Sequence, residues 1–116
     1  MPGFEIELLW WAGCPSTEKA LRELDAALED AGISGATVRT TEIRSEDEAR
    51  ERDFVGSPTI LVDGEDVAPP GEEPVGLNCR VYRRRDGRVA PTPDPESLRE
   101  ALRRAQERPD HEEVAR

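Results

Sequence analysis

Cys14 is the residue of this chain best placed to do chemistry. It follows the segment Phe4 to Trp11, which predicts a strand, and the Ala12-Gly13 pair, which predicts a tight turn. Pro15 comes next and is the predicted first residue of a helix. A thiol at the N-cap of that helix lies near unpaired backbone N–H groups and the positive end of the helix dipole, which favour thiolate over thiol. We therefore expect Cys14 to be a nucleophile rather than a small buried hydrophobic residue.

Cys79 is the second of the two cysteines, and neither belongs to a CxxC pair. Thr17 stands where a dithiol motif would place the partner of Cys14, so a mixed disulfide at Cys14 has no neighbouring thiol to resolve it. Either Cys79 or an external thiol must do so. Two thiols and a single histidine, His111, are too few for a four-ligand zinc site, and we expect no metal or cofactor.

Composition excludes several classes of partner. The 116 residues fit one domain, and the formal charge of -10 argues against nucleic acid and anionic membranes. The sequence has neither an apolar run of the ~20 residues that a membrane span needs nor a signal peptide, so a cytoplasmic location is expected. The basic segment Arg80 to Arg88 is expected to form a solvated hairpin whose arginines pair with the surplus carboxylates.

Helical spacing of apolar residues predicts a first helix from about Pro15 to Ala31, and β-branched residues predict a strand over Ala36 to Ile43. Ser45 and Glu48 form a capping box that opens a second helix, which we expect to end near Phe54-Val55.

The second half of the chain begins with an apolar strand, Thr59 to Val62. Asp63-Gly64 predicts a hairpin with a short return strand, Glu65 to Val67. A last helix opens at Asp94-Pro95. The order βαβ, α, ββ, α predicts an α/β fold with a mixed four-stranded sheet in a domain over residues 1–106, followed by a charged flexible tail over 107–116.

The position of Cys79 depends on which segment is the return strand. If the chain turns at Asp63-Gly64, the loop from Ala68 to Asn78 begins at the Cys14 end and can hold Cys79 there. If Cys79 to Tyr82 is itself the return strand, Cys79 lies at the far end. Asp-Gly between apolar runs favours the first arrangement.

Three further side chains lie on the strand that leads to Cys14. Trp10 and Trp11 should point to opposite faces of the sheet, with one in the core, and we assign Trp11 to the wall of the site. Glu7 is expected to be a solvated strand carboxylate like Glu5.

Several motifs recur in an order that resembles the thioredoxin fold and, more narrowly, the thioredoxin-like DF family of (seleno)proteins. They are Gly13-Cys14-Pro15, Phe54-Val55-Gly56-Ser57-Pro58-Thr59, Val62-Asp63-Gly64-Glu65-Asp66-Val67 and Gly76-Leu77-Asn78-Cys79-Arg80-Val81-Tyr82.

The resemblance implies that Pro58 is cis and faces the reactive thiol, and that Ser57, Pro58 and Thr59 present their backbone to an extended substrate. Relatives carry selenocysteine at the Cys14 position, which implies redox or nucleophilic chemistry there. Some similar sequences are labelled alkylmercury lyases.

Three functions follow from these observations. The first is a thiol-dependent oxidoreductase in which Cys14 attacks a disulfide, peroxide or other electrophile and Cys79 or an external thiol reductant resolves the adduct. The second is a handler of soft metals or organomercury through paired thiolates. The third is a non-catalytic binding module, which the missing CxxC would favour.

Overall fold

The fold is built around a four-stranded mixed sheet. The computed structural model describes residues 4–107. The predicted tail beyond Glu107, with His111, lies outside the described residues; Glu107 itself is helical. The strands are β1 (Ile6–Trp10), β2 (Val38–Glu42), β3 (Thr59–Val62), β4 (Glu65–Asp66), β5 (Tyr82–Arg83) and β6 (Val89–Ala90). The helices are α1 (Thr17–Asp30), α2 (Glu46–Glu51) and α3 (Pro95–Glu107).

The strand order in the main sheet is β2-β1-β3-β4. β1 and β2 are parallel, with Ile6 opposite Val38, whereas β3 is antiparallel to β1 and β4 is antiparallel to β3. The predicted α/β class and the mixed four-stranded sheet are therefore confirmed. β5 and β6 form a separate two-stranded sheet.

The two faces of the sheet carry two apolar clusters. Ile6 and Leu8 of β1 face the larger one, which includes Leu24 of α1 and Leu102 of α3. The next residues along the strand, such as Leu9, face the smaller cluster, with Ala49 of α2, Ile43 and Phe54. The period of two along β1 thus places α1 and α3 on one side of the sheet and α2 on the other.

The Asp63-Gly64 turn is a hairpin, as predicted. Asp63 has φ +54° and Gly64 has φ +81°, the two positive values that a type I′ turn requires. Glu65 pairs with Val62 immediately after the turn, so β4 is the return strand. The alternative in which Cys79 to Tyr82 forms the return strand is wrong.

The second helix begins as predicted and ends earlier than predicted. The Ser45 hydroxyl accepts the Glu48 N–H at 3.1 Å, while the Glu48 carboxylate accepts the Arg44 N–H at 2.6 Å. The helix stops at Glu51 because Asp53 has φ +52° and the Phe54 N–H turns back to the Ala49 carbonyl at 2.8 Å. That turn directs Phe54 into the smaller apolar cluster.

The basic segment forms the β5–β6 hairpin, and pairing of its arginines with carboxylates is confirmed for Arg84 and Arg85. Their guanidinium groups lie 3.7 Å from Glu23 and 2.8 Å from Glu100, respectively. The expectation of a solvated side chain is wrong for Arg80, whose side chain is only 4% exposed and pairs with Asp66 of β4.

Glu7 is buried and ion-paired, so the prediction of a solvated strand carboxylate is wrong. It faces the α2 side of the sheet, where Arg52 lies 2.6 Å away and the Thr41 hydroxyl donates to it. Burial alone would raise the pKa of Glu7, but the hydrogen bonds from Arg52 and Thr41 and the nearby positive charges hold it below its ordinary 4.5.

Glu7→Gln should therefore destabilise the protein in a pH-dependent way. A carboxylate whose pKa is lowered on folding contributes stability above its unfolded value and loses it as the pH falls through the folded value. We expect a loss of about 1 kcal/mol at neutral pH, because Arg52 is partly exposed and the pair is screened. Urea unfolding of both proteins from pH 7 down into the acid range below 4.5 measures it. A difference that stays constant through that range would contradict the assignment.

Candidate functional site

Cys14 lies at the end of a turn rather than at a helix N-cap. Its N–H donates to the Trp11 carbonyl at 3.1 Å, which confirms the predicted turn at Ala12-Gly13. The helix begins at Thr17 with Ser16 as its N-cap, so the prediction that Cys14 is the N-cap and Pro15 the first helical residue is wrong. Cys14 is the fourth residue of this turn. The first helical hydrogen bond is the one that the Ala20 N–H donates to the Ser16 carbonyl.

The Cys14 sulfur faces the loop that precedes β3. Its Sγ–H donates to the Ser57 carbonyl at 3.3 Å, and the residue is 7% exposed. Cys14 is therefore buried, and its thiol contacts a backbone carbonyl of another segment.

The Ser57-Pro58 peptide bond is cis, as expected from the resemblance. Ser57, Pro58 and Thr59 are all buried, and the Thr59 hydroxyl donates to the Gly56 carbonyl at 2.7 Å. Gly56 has φ +153°, and a β-carbon there would lie 3.0 Å from Arg80. The loop is thus fixed by its own residues against the segment that carries Cys79.

Cys79 lies beside this loop, in register with Ser57. The two residues form a parallel bridge in which the Ser57 N–H donates to the Asn78 carbonyl and the Arg80 N–H donates to the Ser57 carbonyl, both at 2.8 Å. Since Cys14 donates to the same Ser57 carbonyl, one backbone group contacts both cysteine-bearing segments. The prediction that the loop returns Cys79 to the Cys14 end is confirmed.

The two sulfurs are near neighbours and are not joined by a disulfide. Cys79 is exposed whereas Cys14 is buried. Hydrogen bonding with the Cys14 side chain, then loss of hydration, then charge repulsion from Cys14 raise the pKa of the Cys79 thiol above its ordinary 9.0. Cys79 is therefore a protonated thiol at neutral pH.

Trp11 connects the Ala12-Gly13 turn to the segment that carries Cys79. Its indole N–H donates to the Asn78 carbonyl at 3.1 Å, next to Cys79. The ring also lies over Gly13, where a β-carbon would be only 2.0 Å from it, so the ring position requires glycine. Trp10 packs on the larger apolar cluster and Trp11 on the smaller, which confirms that they face opposite sides of the sheet.

Arg80 braces the loop and the Cys79 segment together. Its guanidinium group donates to Asp66 at 2.8 Å, to the Thr59 hydroxyl at 3.1 Å and to the Ala68 carbonyl. Burial raises the pKa of the Asp66 carboxyl, against the opposing charge of Arg80. This buried ion pair connects β4, the start of β3 and the residue that follows Cys79.

Tyr82 also contacts this loop and Arg80. Its hydroxyl donates to the Pro58 carbonyl, and the Arg80 guanidinium lies 4.4 Å from the centre of its ring, a cation–π contact. Burial raises the pKa of the Tyr82 phenol, so it remains a hydrogen-bond donor. The backbone carbonyls of Gly56, Ser57 and Pro58 each have a fixed donor.

Sequence reasoning missed Arg80, Asp66 and Tyr82 as parts of the site. The sequence carries no clear signal for them, because Val81 is exposed while Arg80 and Tyr82 are buried, the reverse of what the apolar and charged residue types predict. A buried arginine needs a carboxylate partner, and Asp66 in the short return strand supplies it.

Two neighbouring thiols can form a disulfide with each other or share one soft metal ion. Within residues 4–107, no group of three or more histidine, cysteine, aspartate or glutamate side chains is arranged to hold a metal.

No family model, curated protein or solved structure matches the chain. None of the helices described between residues 4 and 107 is long and apolar enough to cross a bilayer.

Proposed function

We propose that this protein is a thiol-dependent oxidoreductase of the thioredoxin-like type, as the resemblance to the DF family implies, with Cys14 as nucleophile and Cys79 as resolving thiol. The observation that carries the proposal is the parallel bridge between Ser57 and Cys79, since Cys14 donates to that same Ser57 carbonyl. The strand order β2-β1-β3-β4 and the cis peptide bond before β3 support the thioredoxin-like part.

The reaction with a disulfide proceeds in two exchanges. The Cys14 thiolate attacks one sulfur of the substrate, a new S–S bond forms at Cys14, and the other half leaves as a thiolate that takes up a proton. Cys79 then loses its proton and attacks the Cys14 sulfur, which releases the second thiol and leaves a Cys14–Cys79 disulfide. An external thiol reduces that disulfide and restores the protein.

The electrostatics of the pair suit this order. Hydrogen bonding with the Cys14 side chain is the largest cause that raises the pKa of Cys79. Once Cys14 is bound in a mixed disulfide, its side chain no longer stabilises the Cys79 thiol in that way. Cys79 therefore ionises more easily after Cys14 has reacted, when its attack is required.

Oxidation with one equivalent of hydroxyethyl disulfide tests the proposal. Alkylation of remaining thiols and peptide mapping by mass spectrometry should show a Cys14–Cys79 linkage within one molecule. Two independent mixed disulfides, or a dimer linked through the exposed Cys79, would contradict it.

A soft-metal site is the second candidate, because two neighbouring sulfurs are free in this structure. Titration with Hg²⁺ would give one bound ion per chain whether the two cysteines form a metal site or a redox pair. Only a redox pair also turns over a disulfide with an external thiol. If neither sulfur reacts faster than free cysteine, the protein is a non-catalytic binding module.

A further inference from the structure

The backbone edge that an extended substrate would use is occupied by the chain itself. An extended peptide pairs with a strand edge through alternate N–H and C=O groups. At Ser57 the N–H is bonded to Asn78 and the C=O to Arg80, both at 2.8 Å. Cys79 lies between these two residues, opposite Ser57, so this edge is filled by the segment that carries the second cysteine.

This internal segment is held firmly in place. The Asn78 carbonyl accepts a second hydrogen bond from the Trp11 indole, and the Arg80 side chain is anchored by its buried pair with Asp66. A peptide that replaced residues 78–80 would break both main-chain bonds to Ser57 and expose that pair. It would also remove Cys79 from Cys14 and so separate the resolving thiol from the nucleophile.

Two hydroxyl groups in the segments that adjoin Cys14 are shielded from solvent and lack hydrogen-bond partners among the described residues. One is the side chain of Ser57, which is fully buried and whose carbonyl accepts the Cys14 thiol. The other belongs to Thr17, three residues after Cys14 at the start of α1. A buried hydroxyl without a partner is a donor that an incoming polar group can satisfy.

From these observations we infer that the oxidant consumed by the thiol pair is a small hydroperoxide and not the disulfide of an extended polypeptide. The inference rests on the proposed function and names its substrate class. The 7% exposure of Cys14 suits a reagent of a few atoms, whereas a polypeptide disulfide needs the occupied edge.

A hydroperoxide would oxidise the thiol pair in two steps. The Cys14 thiolate attacks one peroxide oxygen, an S–O bond forms, the O–O bond breaks, and the leaving oxygen takes a proton and departs as water or an alcohol. Sulfur is oxidised to a sulfenic acid and the peroxide is reduced. Cys79 attacks that sulfur, the S–O bond breaks, and the oxygen leaves as water with the Cys79 proton. Two molecules of a small external thiol then reduce the Cys14–Cys79 disulfide and become a disulfide themselves.

The test compares three oxidants on the reduced full-length protein: hydrogen peroxide, hydroxyethyl disulfide and a disulfide between two extended peptides. Rates of Cys14–Cys79 formation are followed by quenching and mass spectrometry, each divided by the rate of the same oxidant with free cysteine. We expect the ratio for peroxide to exceed that for the peptide disulfide by at least about tenfold, the effect of one hydrogen bond to a charged oxygen. Equal ratios, or a larger ratio for the peptide disulfide, would overturn the inference and leave the proposed function intact. Failure of all three oxidants to link the cysteines would overturn the proposed function and this inference with it.

Two variants that lack a hydroxyl group test whether Thr17 and Ser57 act on the peroxide. Thr17→Val and Ser57→Ala should lower the peroxide ratio by more than they lower the hydroxyethyl disulfide ratio. Thr40→Val removes an exposed hydroxyl from β2 and is the matched control. Equal losses with both oxidants in both variants would show that the hydroxyls do not act on the peroxide, which overturns the inference. The comparison of oxidants on the unmodified protein does not depend on whether these variants fold.

Discussion

Cys79→Ser should stop turnover at a trapped intermediate. With hydroxyethyl disulfide the variant should form a mixed disulfide at Cys14 that persists, because the thiol that would attack it is gone. Steady-state reduction of the disulfide by an external thiol should fall by at least about tenfold, since an intermolecular thiol must replace one held at high effective concentration. Intact-mass spectrometry of the quenched reaction, followed by peptide mapping, shows the adduct and its position.

Cys14→Ser is the matched control, and it separates the two cysteines. Cys79 is exposed and, like any ordinary cysteine, is mostly protonated at neutral pH, so this variant should form an adduct no faster than free cysteine does. The opposite pattern, an adduct trapped on Cys79 in Cys14→Ser and an inert Cys79→Ser, would assign the nucleophile to Cys79. A metal site would behave differently again, because both variants would lose affinity for Hg²⁺ and neither would trap a disulfide.

The parts of the fold that local chemistry determines could be predicted from the sequence. Asp63-Gly64 predicts its turn because both residue types tolerate the positive φ that a type I′ turn requires. That turn directs the chain back, so that Cys79 lies at the Cys14 end of the sheet. Ser45 and Glu48 specify the start of α2 in the same way, since a capping side chain reaches only three residues along the chain.

The interactions that join distant segments could not be predicted in this way. Cys14 was expected to cap α1, because a proline after it suits a helix start, but the turn bond to Trp11 holds it two residues before the cap. Glu7 pairs with Arg52, 45 positions away, and Arg80 pairs with Asp66, 14 positions away. Each charge is neutralised by a partner that only the tertiary fold brings near, so composition alone suggested solvated side chains.

Arg80→Met should be the most destabilising of the substitutions considered for this protein. It keeps the length and the apolar stem of the side chain but removes the guanidinium group, which leaves Asp66 and the Ala68 carbonyl without their buried donor. Breaking one side of a buried ion pair typically costs about 3–5 kcal/mol, and the side chains here are 4% and 14% exposed. Urea unfolding at neutral pH, monitored by tryptophan fluorescence, measures the loss.

Two further variants show whether the buried pair is the cause. Asp66→Asn combined with Arg80→Met removes the unpaired charge and should recover part of the lost stability. Arg85→Met breaks the ion pair with Glu100 on the surface, where both side chains are about half exposed, and should change stability much less. The Arg80 substitution should also slow closure of the Cys14–Cys79 disulfide, because the segment that carries Cys79 loses its anchor to Thr59 and β4. Equal losses in Arg80→Met and Arg85→Met, with disulfide closure unchanged, would show that the main-chain bonds to Ser57 alone hold Cys79 beside Cys14.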